Sequence, residues 1–194
     1  MGRDKALLDL GGVTLIARTL NLIMSIADQC TIVGEAKRLD SSAAEGAAKM
    51  NWMHVIADDF PGAGPLGGIA AALRAARSEW NLIVACDLPY LTREWLEFLV
   101  AWGLRSDADV VLPMNERGAE PLCGMYRKRA ETAIREALAR GTRKVTDGLA
   151  EVHTEFIELA EWKPFDSDGL LFKNMNSPAD YEEAKARFNA SAKR

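Results

Sequence analysis

An apolar run without polar alternation, at residues 82–86, is the clearest strand signal in the chain. Such a run is typical of a strand that is buried on both faces. It leads into Asp87, and Pro89 then prevents further strand pairing. Because ligands of open α/β sheets bind beyond the carboxyl ends of the strands, Asp87 is a candidate ligand of a divalent metal. A turn aspartate would give the same short motif, so this residue alone leaves both interpretations open.

Strand-like and helix-like patterns alternate along the rest of the chain. Further strands are predicted at 30–33, 53–57, 110–112, 121–126, 156–159 and 170–172. Helices are predicted at 37–49, 66–77, 128–140 and 144–150, and on a face formed by Ile16, Leu20, Ile23 and Ala27. Two more helices are predicted to begin at the capping residues Thr92 and Ser177.

This succession favours the α/β class, with a three-layer, Rossmann-like fold. The sheet is predicted to be mostly parallel, and residues 121–126 return as an antiparallel element after a turn at 115–118. One domain is expected over residues 1–188, followed by a frayed tail at 189–194.

The composition and charge of the chain limit the kinds of function that fit it. The chain has 194 residues, of which 48% are hydrophobic and 27% charged, and its formal net charge is -4. The negative charge gives no support to nucleic-acid binding, and the two histidines argue against a histidine-rich metal site. Three widely spaced cysteines form no Cys-x-x-Cys pair, so neither a disulfide framework nor a zinc ribbon is indicated, and Cys30 and Cys86 are expected to be buried thiols. No membrane-spanning run or signal peptide is visible, and the expected location is the cytoplasm.

Two early clusters carry possible phosphate-binding chemistry. Arg3 and Lys5 could contact a polyphosphate, although for a short charged segment on its own a disordered terminus is the simpler interpretation. The glycine-rich segment 60–68 lies between a predicted strand and helix, where backbone N–H groups can approach a ligand. It matches neither of the standard phosphate-loop motifs, and a tight turn with close packing explains it as well.

Two later clusters offer polar groups. Glu120 could bind a polar ligand edge, but a solvated glutamate on an edge strand is the simpler interpretation. Nothing near Cys123 in the sequence would lower its pKa as a nucleophile requires. Asn174 and Asn176 would point the same way from an extended segment and could bind a heterocycle, although on spacing alone turn hydrogen bonds before a helix are the simpler interpretation.

Five short motifs, taken in order, resemble those of one family. They are Arg-Asp-Lys-Ala-Leu-Leu at 3–8, Gly-Pro-Leu-Gly-Gly-Ile at 64–69, Cys-Asp-Leu-Pro-Tyr-Leu at 86–91, Glu-Pro-Leu at 120–122 and Asn-Met-Asn-Ser-Pro at 174–178. Their order and spacing resemble the molybdenum cofactor guanylyltransferase family, within the small-molecule nucleotidyltransferases. The resemblance spans residues 1 to about 185.

The resemblance implies a nucleotidyltransferase fold and an activity that joins GMP from GTP to molybdopterin with Mg²⁺, releasing pyrophosphate. It implies catalytic roles for Lys5 and Asp87, and Asp87 would also hold the metal. The implied GTP-binding residues are Lys5, Gly34, Asp58, Gly67 and Asp87, and the implied molybdopterin-binding residues are Asn174 and Asn176. Gly34 stands where some members have an asparagine, so only its backbone could serve. The implied protein is a monomer, with transient contacts to other cofactor-biosynthesis proteins.

The start of the sequence departs from the family pattern. The family opens with a strand and a Leu-Ala-Gly-Gly loop, whereas this sequence begins at the methionine that follows them. The resemblance therefore implies either a longer natural chain or a product with part of its phosphate cradle missing, weak GTP binding and unpaired neighbouring strands. Two alternatives stay open at this point, namely transfer from CTP or to another acceptor, and a non-catalytic binding protein.

Overall fold

The computed structural model describes residues 5–34 and 52–191. The helix predicted at 37–49 lies outside the described residues, as does Arg3. In the described ranges, none of the helices is both long enough and apolar enough to cross a lipid bilayer.

Strands and helices alternate as the sequence pattern predicts. The strands are β1 Cys30–Val33, β2 Met53–Ile56, β3 Trp80–Val84, β4 Val110–Asn115, β5 Gly118–Ala119, β6 Cys123–Arg127 and β7 Thr154–Ile157. The helices are α1 Leu15–Met24, α2 Pro65–Ala75, α3 Arg93–Gly103, α4 Ala130–Ala139, α5 Val145–Gly148, α6 Leu159–Trp162 and α7 Pro178–Ser191. Short 3₁₀ turns occur at Lys5–Leu7 and Lys163–Phe165.

The strands form two sheets. In the larger sheet β6 lies between β3 and β4 and is antiparallel to both, so β3 and β4 run in the same direction. Strand β7 pairs with β4 in parallel, and β5 forms an antiparallel hairpin with β4. The smaller sheet is the parallel pair β1 and β2. Within the described ranges no strand joins the two sheets, and β1 and β3 each have one edge without a strand partner.

Alternating side chains place the larger sheet between two apolar layers. Val110 and Leu112 of β4 pack with α2, α4 and α5 on one face. Val111, between them, packs with α3 on the other face, together with Met125 of β6. This period of two is the expected geometry of a strand with both faces covered, and it confirms the three-layer α/β fold.

The strand that leads to Asp87 differs from the prediction. It ends at Val84, and every residue of β3 is only half-buried. The reason is that, in the part of the chain that the structure describes, β3 has one strand neighbour, β6. Beyond Val84 the pairing is extended by the Ala85 N–H, which donates to the Leu122 carbonyl at 2.8 Å. Asp87 therefore lies in the turn that follows the strand.

Two predictions near the end of the chain are also wrong. Residues 170–172 form a turn instead of a strand, because the Lys173 N–H donates to the Leu170 carbonyl and the Leu171 N–H donates to Asp166. Helix α7 continues through residues 189–191, where a frayed tail was expected, and 192–194 lie outside the described residues.

Both predicted helix caps are present. The Thr92 hydroxyl accepts a hydrogen bond from the Trp95 N–H, and Glu94 lies in the first turn of α3. At the start of α7, Ser177 Oγ accepts from the Asp180 N–H, and the Asp180 carboxylate accepts from the Ser177 N–H at 2.8 Å. This reciprocal pair is a capping box, with aspartate in the position that glutamate usually holds.

An aromatic cluster around Trp95 supports the layer beneath Asp87. The Trp95 ring is fully buried, and its Nε1–H donates to Cys123 Sγ at 3.3 Å. Phe172 meets it edge-on at a centroid distance of 5.5 Å, and Phe165 and Phe98 each lie 5.8 Å away. Leu88, directly after Asp87, is buried in the same apolar cluster. The turn that carries Asp87 therefore rests on this aromatic packing.

We predict that Trp95→Ala lowers the free energy of unfolding by about 3–5 kcal/mol, because it leaves a large cavity beneath the sheet. Urea unfolding followed by circular dichroism measures the change. Leu104→Ala is the matched control, since Leu104 caps the end of the same helix with 62% of its surface exposed and should cost less than about 0.5 kcal/mol. Equal losses in the two variants would contradict this account of the core.

Candidate active site

Asp87 occupies the turn beyond the carboxyl end of β3 and is half-buried. Its backbone carbonyl accepts a hydrogen bond from the Met175 N–H at 3.1 Å. This contact crosses 88 positions of sequence and fixes the 174–176 segment beside the turn. The sequence-predicted carboxylate and the sequence-predicted asparagines are therefore brought together.

The segment around Met175 presents both asparagines to solvent. Met175 is 2% exposed and packs with Leu10 and Leu15, whereas Asn174 and Asn176 on either side are exposed. This alternation is what an extended segment with one buried residue produces, and it agrees with the predicted common direction of the two amides.

Lys5 joins the same group from the beginning of the chain. Its Nζ donates to Asn176 Oδ1 at 3.1 Å. A cation and an amide from opposite ends of the chain thus lie in direct contact, at the edge of the sheet where Asp87 is found. The site combines positive charge, a carboxylate and amide groups within one surface region.

A second group forms at the carboxyl ends of β1 and β2. Asp58 Oδ1 accepts from the Phe60 N–H at 2.8 Å, which turns the chain sharply after β2. A Cβ atom at Gly67 would lie 3.1 Å from the same oxygen, so glycine allows Asp58 to lie against the first turn of α2. The Gly34 N–H donates to the Ile56 carbonyl at 2.8 Å, so this N–H extends the pairing of β1 with β2 by one residue.

A cavity of about 380 Å³ lies beside Asp87. Asn174 and Pro65 line it, so the first turn of α2 borders the cavity and also contacts Asp58. The cavity is also lined by Glu120, Arg143 and Lys144.

Sequence reasoning missed the two cations and assigned the glutamate to a solvated edge. The only available signal for the cations was a basic pair just before a short predicted helix, which usually indicates a solvated surface. Their position at the cavity depends on how α4 and α5 pack against the sheet.

The cysteines do not provide a nucleophile here. Cys123 is fully buried, and burial raises the pKa of its thiol to about 12. Burial likewise raises the pKa of Cys30 to about 11. A catalytic thiol needs the opposite shift, so covalent catalysis by either residue is disfavoured. Cys30 and Cys86 are half-buried, less than the sequence predicted.

The carboxylate of Asp87 is a hard oxygen donor of the kind that could hold an Mg²⁺ ion. Magnesium prefers hard oxygen ligands, keeps several waters, and is often held by one or two carboxylates together with substrate phosphates. In residues 5–34 and 52–191, no three His, Cys, Asp or Glu side chains are grouped so that they could hold a metal by themselves.

Comparison with known proteins gives a consistent result. The family model described as the MobA-like NTP transferase domain matches residues 1–154. The probable molybdenum cofactor guanylyltransferase of Carboxydothermus hydrogenoformans is 33% identical over 94% of the chain and 87% of its own length. The molybdenum cofactor guanylyltransferase of Desulfosudis oleivorans is 30% identical over 97% of the chain and 89% of its length.

Solved structures resemble the whole architecture. The molybdopterin-guanine dinucleotide biosynthesis protein A of Archaeoglobus fulgidus superposes with a TM-score of 0.78 at 27% identity, covering 96% of the chain and 91% of that protein. The 2-C-methyl-D-erythritol 4-phosphate cytidylyltransferase of Thermus thermophilus gives a TM-score of 0.68 at 15% identity, covering 94% and 93%. The second likeness concerns the fold alone.

We predict that Asp180→Asn loosens the capping box and the adjacent Asn176. The pKa of Asp180 is lowered mainly by its hydrogen bonds with Ser177, so the native state holds the ionised form more tightly than the unfolded chain does. Its stabilising effect is present above the unfolded pKa of about 3.9 and is lost as the pH falls through the lower native value.

Thermal melts of wild type and Asp180→Asn between pH 7 and pH 3 measure this effect. The variant should melt at a lower temperature near neutrality, and the difference should shrink in acid. Glu182→Gln, an exposed charge change on the same helix, is the control and should show a smaller difference. A difference that grows in acid would contradict the role of the carboxylate.

Proposed function

The chain belongs to the MobA-like NTP transferase domain family, a family of nucleotidyltransferases, and we propose that it transfers GMP from GTP to a molybdopterin-type molybdenum cofactor. The reaction releases pyrophosphate and forms a guanine dinucleotide of the cofactor. The observation that supports this most is the meeting of three distant segments at one sheet edge. Lys5 contacts Asn176, and the backbone of Asp87 contacts Met175.

The two groups of residues divide the site into a nucleotide side and an acceptor side. Gly34 and Asp58 follow the carboxyl ends of β1 and β2, and Gly67 lies against Asp58 in the first turn of α2; all three are assigned to GTP. Asn174 and Asn176 lie beside Asp87 and are assigned to the molybdopterin. Asp87 and Lys5 lie beside the acceptor residues. In the proposed reaction, the attacking phosphate of the acceptor meets the α-phosphate of GTP at this position.

Transfer requires positioning and charge compensation and no covalent enzyme intermediate. A phosphate oxygen of the acceptor attacks the α-phosphorus of GTP, and the bond to the β-phosphate oxygen breaks as pyrophosphate leaves. Lys5 places a mobile positive charge on the phosphates, and its contact with Asn176 orients the ammonium group before the ligand arrives. Asp87 would hold an Mg²⁺ ion, which would supply Lewis-acid stabilisation of the charge that develops on the phosphates. Monomeric action, transient contacts with other cofactor-biosynthesis proteins and a cytoplasmic location belong to the same proposal.

The proposed function is tested by incubating the purified chain with GTP, molybdopterin and Mg²⁺ and identifying the product by mass spectrometry. We expect a GMP adduct and pyrophosphate, and at least an approximately 100-fold loss of rate in Asp87→Asn, since metal-assisted charge stabilisation contributes several kcal/mol. Asp107→Asn removes an exposed carboxylate elsewhere and should keep the wild-type rate and melting temperature.

Other products would change the assignment. A CMP adduct formed from CTP in place of GTP would keep the fold and the mechanism but indicate a cytidylyltransferase. Absence of transfer from GTP, CTP and ATP would support a binding protein. An active Asp87→Asn variant would remove Asp87 from the machinery.

We predict that Lys5→Ala weakens GTP binding by roughly 10- to 100-fold, the range for a lost hydrogen bond to a charged group. Lys5→Arg should restore the affinity only in part, because a planar guanidinium does not replace a compact ammonium group. Isothermal titration of GTP at two salt concentrations measures both effects, and an exposed site should give a smaller difference at high salt. Unchanged affinity in Lys5→Ala would show that residue 5 does not contact the nucleotide.

A further inference from the structure

Glu120 lines the cavity beside Asp87, although neither the fold nor the proposed chemistry gives it a role. It follows the β4–β5 hairpin, and its backbone is fixed at both ends. Its N–H donates to the Pro113 carbonyl at 2.9 Å, and its carbonyl accepts from the Cys123 N–H at 3.1 Å. The side chain is therefore presented from a rigid backbone, as a selective binding group requires.

The two oxygens of the Glu120 carboxylate differ in their hydrogen bonding. Asn115 Nδ2 donates to its Oε1 at 2.6 Å, and within the described residues no group donates to its Oε2. Burial raises the pKa of Glu120, whereas the Asn115 hydrogen bond and the charge of Arg117 lower it. Withdrawing a carboxylate from water costs free energy unless its acceptor sites are filled. A carboxylate that lines a cavity and has one oxygen without a donor among the described residues is suited to accept N–H groups of a ligand.

The same cavity carries cations. The Arg143 guanidinium is held by the Thr142 carbonyl at 2.9 Å and the Leu138 carbonyl at 3.3 Å, and Lys144 adjoins it. A ligand that suits this lining has an anionic part and a part with adjacent N–H donors. A phosphorylated compound with a 2-amino-4-oxopyrimidine ring has both features, because its ring N3–H and 2-amino group donate side by side.

We propose that Glu120 is a specificity-determining residue that accepts hydrogen bonds from the 2-amino-4-oxopyrimidine edge of the pterin in the acceptor. This inference rests on the proposed function. Guanine presents the same edge, so GTP is the other possible source of these donors. The acceptor is favoured because the cavity is lined by Asn174, on the acceptor side, and not by Asp58 or Gly67.

The first test compares Glu120→Gln with wild type in the transfer assay. The glutamine side chain places its own N–H₂ donor opposite the N–H donors of the pterin, so one hydrogen bond is lost. The KM for molybdopterin should therefore rise about 10- to 100-fold. The dissociation constant of GTP, measured by titration, and the melting temperature should stay unchanged. Glu116→Gln removes an exposed carboxylate from the same hairpin and should leave all three quantities as in wild type.

The second test needs no turnover. Fluorescence titration compares 6-hydroxymethylpterin, which has the 2-amino group, with 6-hydroxymethyl-lumazine, which has a carbonyl at that position. Wild type should bind the pterin at least about tenfold more tightly, and Glu120→Gln should lose this preference. Because neither probe carries a phosphate, the result separates recognition of the ring from recognition by Arg143 and Lys144.

The outcomes distinguish the possible failures. Weaker GTP binding in Glu120→Gln with an unchanged KM for molybdopterin would overturn the acceptor assignment and point to the guanine edge. Equal binding of both probes by wild type would overturn recognition of the ring by this residue. The wild-type protein could also prefer the pterin through Glu120 and yet show no transferase activity. That result would support the inference about Glu120 and contradict the proposed function.

Discussion

The hydrogen bond from the Met175 N–H to the Asp87 carbonyl is the contact on which the candidate site depends. Met175 is anchored by burial against Leu10 and Leu15, so the segment that carries the asparagines is attached to the core as well as to the turn. Since the bond uses backbone groups, it does not occupy the side chains of Asp87, Asn174 or Asn176. Asn176 in turn contacts Lys5, so the position of the cation depends on the same anchor.

Local chemistry explains which parts of the fold could be predicted. Thr92 and Ser177 form caps because the groups involved lie within three residues of each other, and β1 was placed at its correct ends by a short apolar run. The prediction failed where contacts between residues far apart in the sequence determine the local structure. Residues 170–172 are apolar enough for a strand, but Leu171 and Phe172 pack into the aromatic cluster around Trp95, and the Lys173 N–H closes the segment into a turn by donating to the Leu170 carbonyl. Likewise, an apolar run predicted burial of β3 on both faces, whereas β3 is half-buried and has one strand neighbour among the described residues.

In the candidate site, too, some positions follow from local sequence rules and others depend on packing between distant segments. Asp87 and the two asparagines could be predicted because strand ends and alternation place them by local rules. The cavity could not, since Glu120 follows a hairpin and Arg143 follows a helix on another part of the sheet. Their proximity results from β6 lying between β3 and β4. That strand order also needs Gly124, where a Cβ would lie 2.4 Å from Leu112 Cδ2.

Packing behind the site connects its two sides through the first turn of α2. Gly67 lies against Asp58, Pro65 lines the cavity, and Leu66 between them is fully buried. A Cβ at Gly148 of α5 would lie 2.7 Å from Leu66, so α5 approaches this turn more closely than a larger residue would allow. Because α5 begins directly after Lys144, one apolar contact sets both the turn beside Asp58 and the cationic wall of the cavity. The relative position of the two ligands is therefore determined by apolar packing behind the site, while the polar groups decide which ligands are accepted.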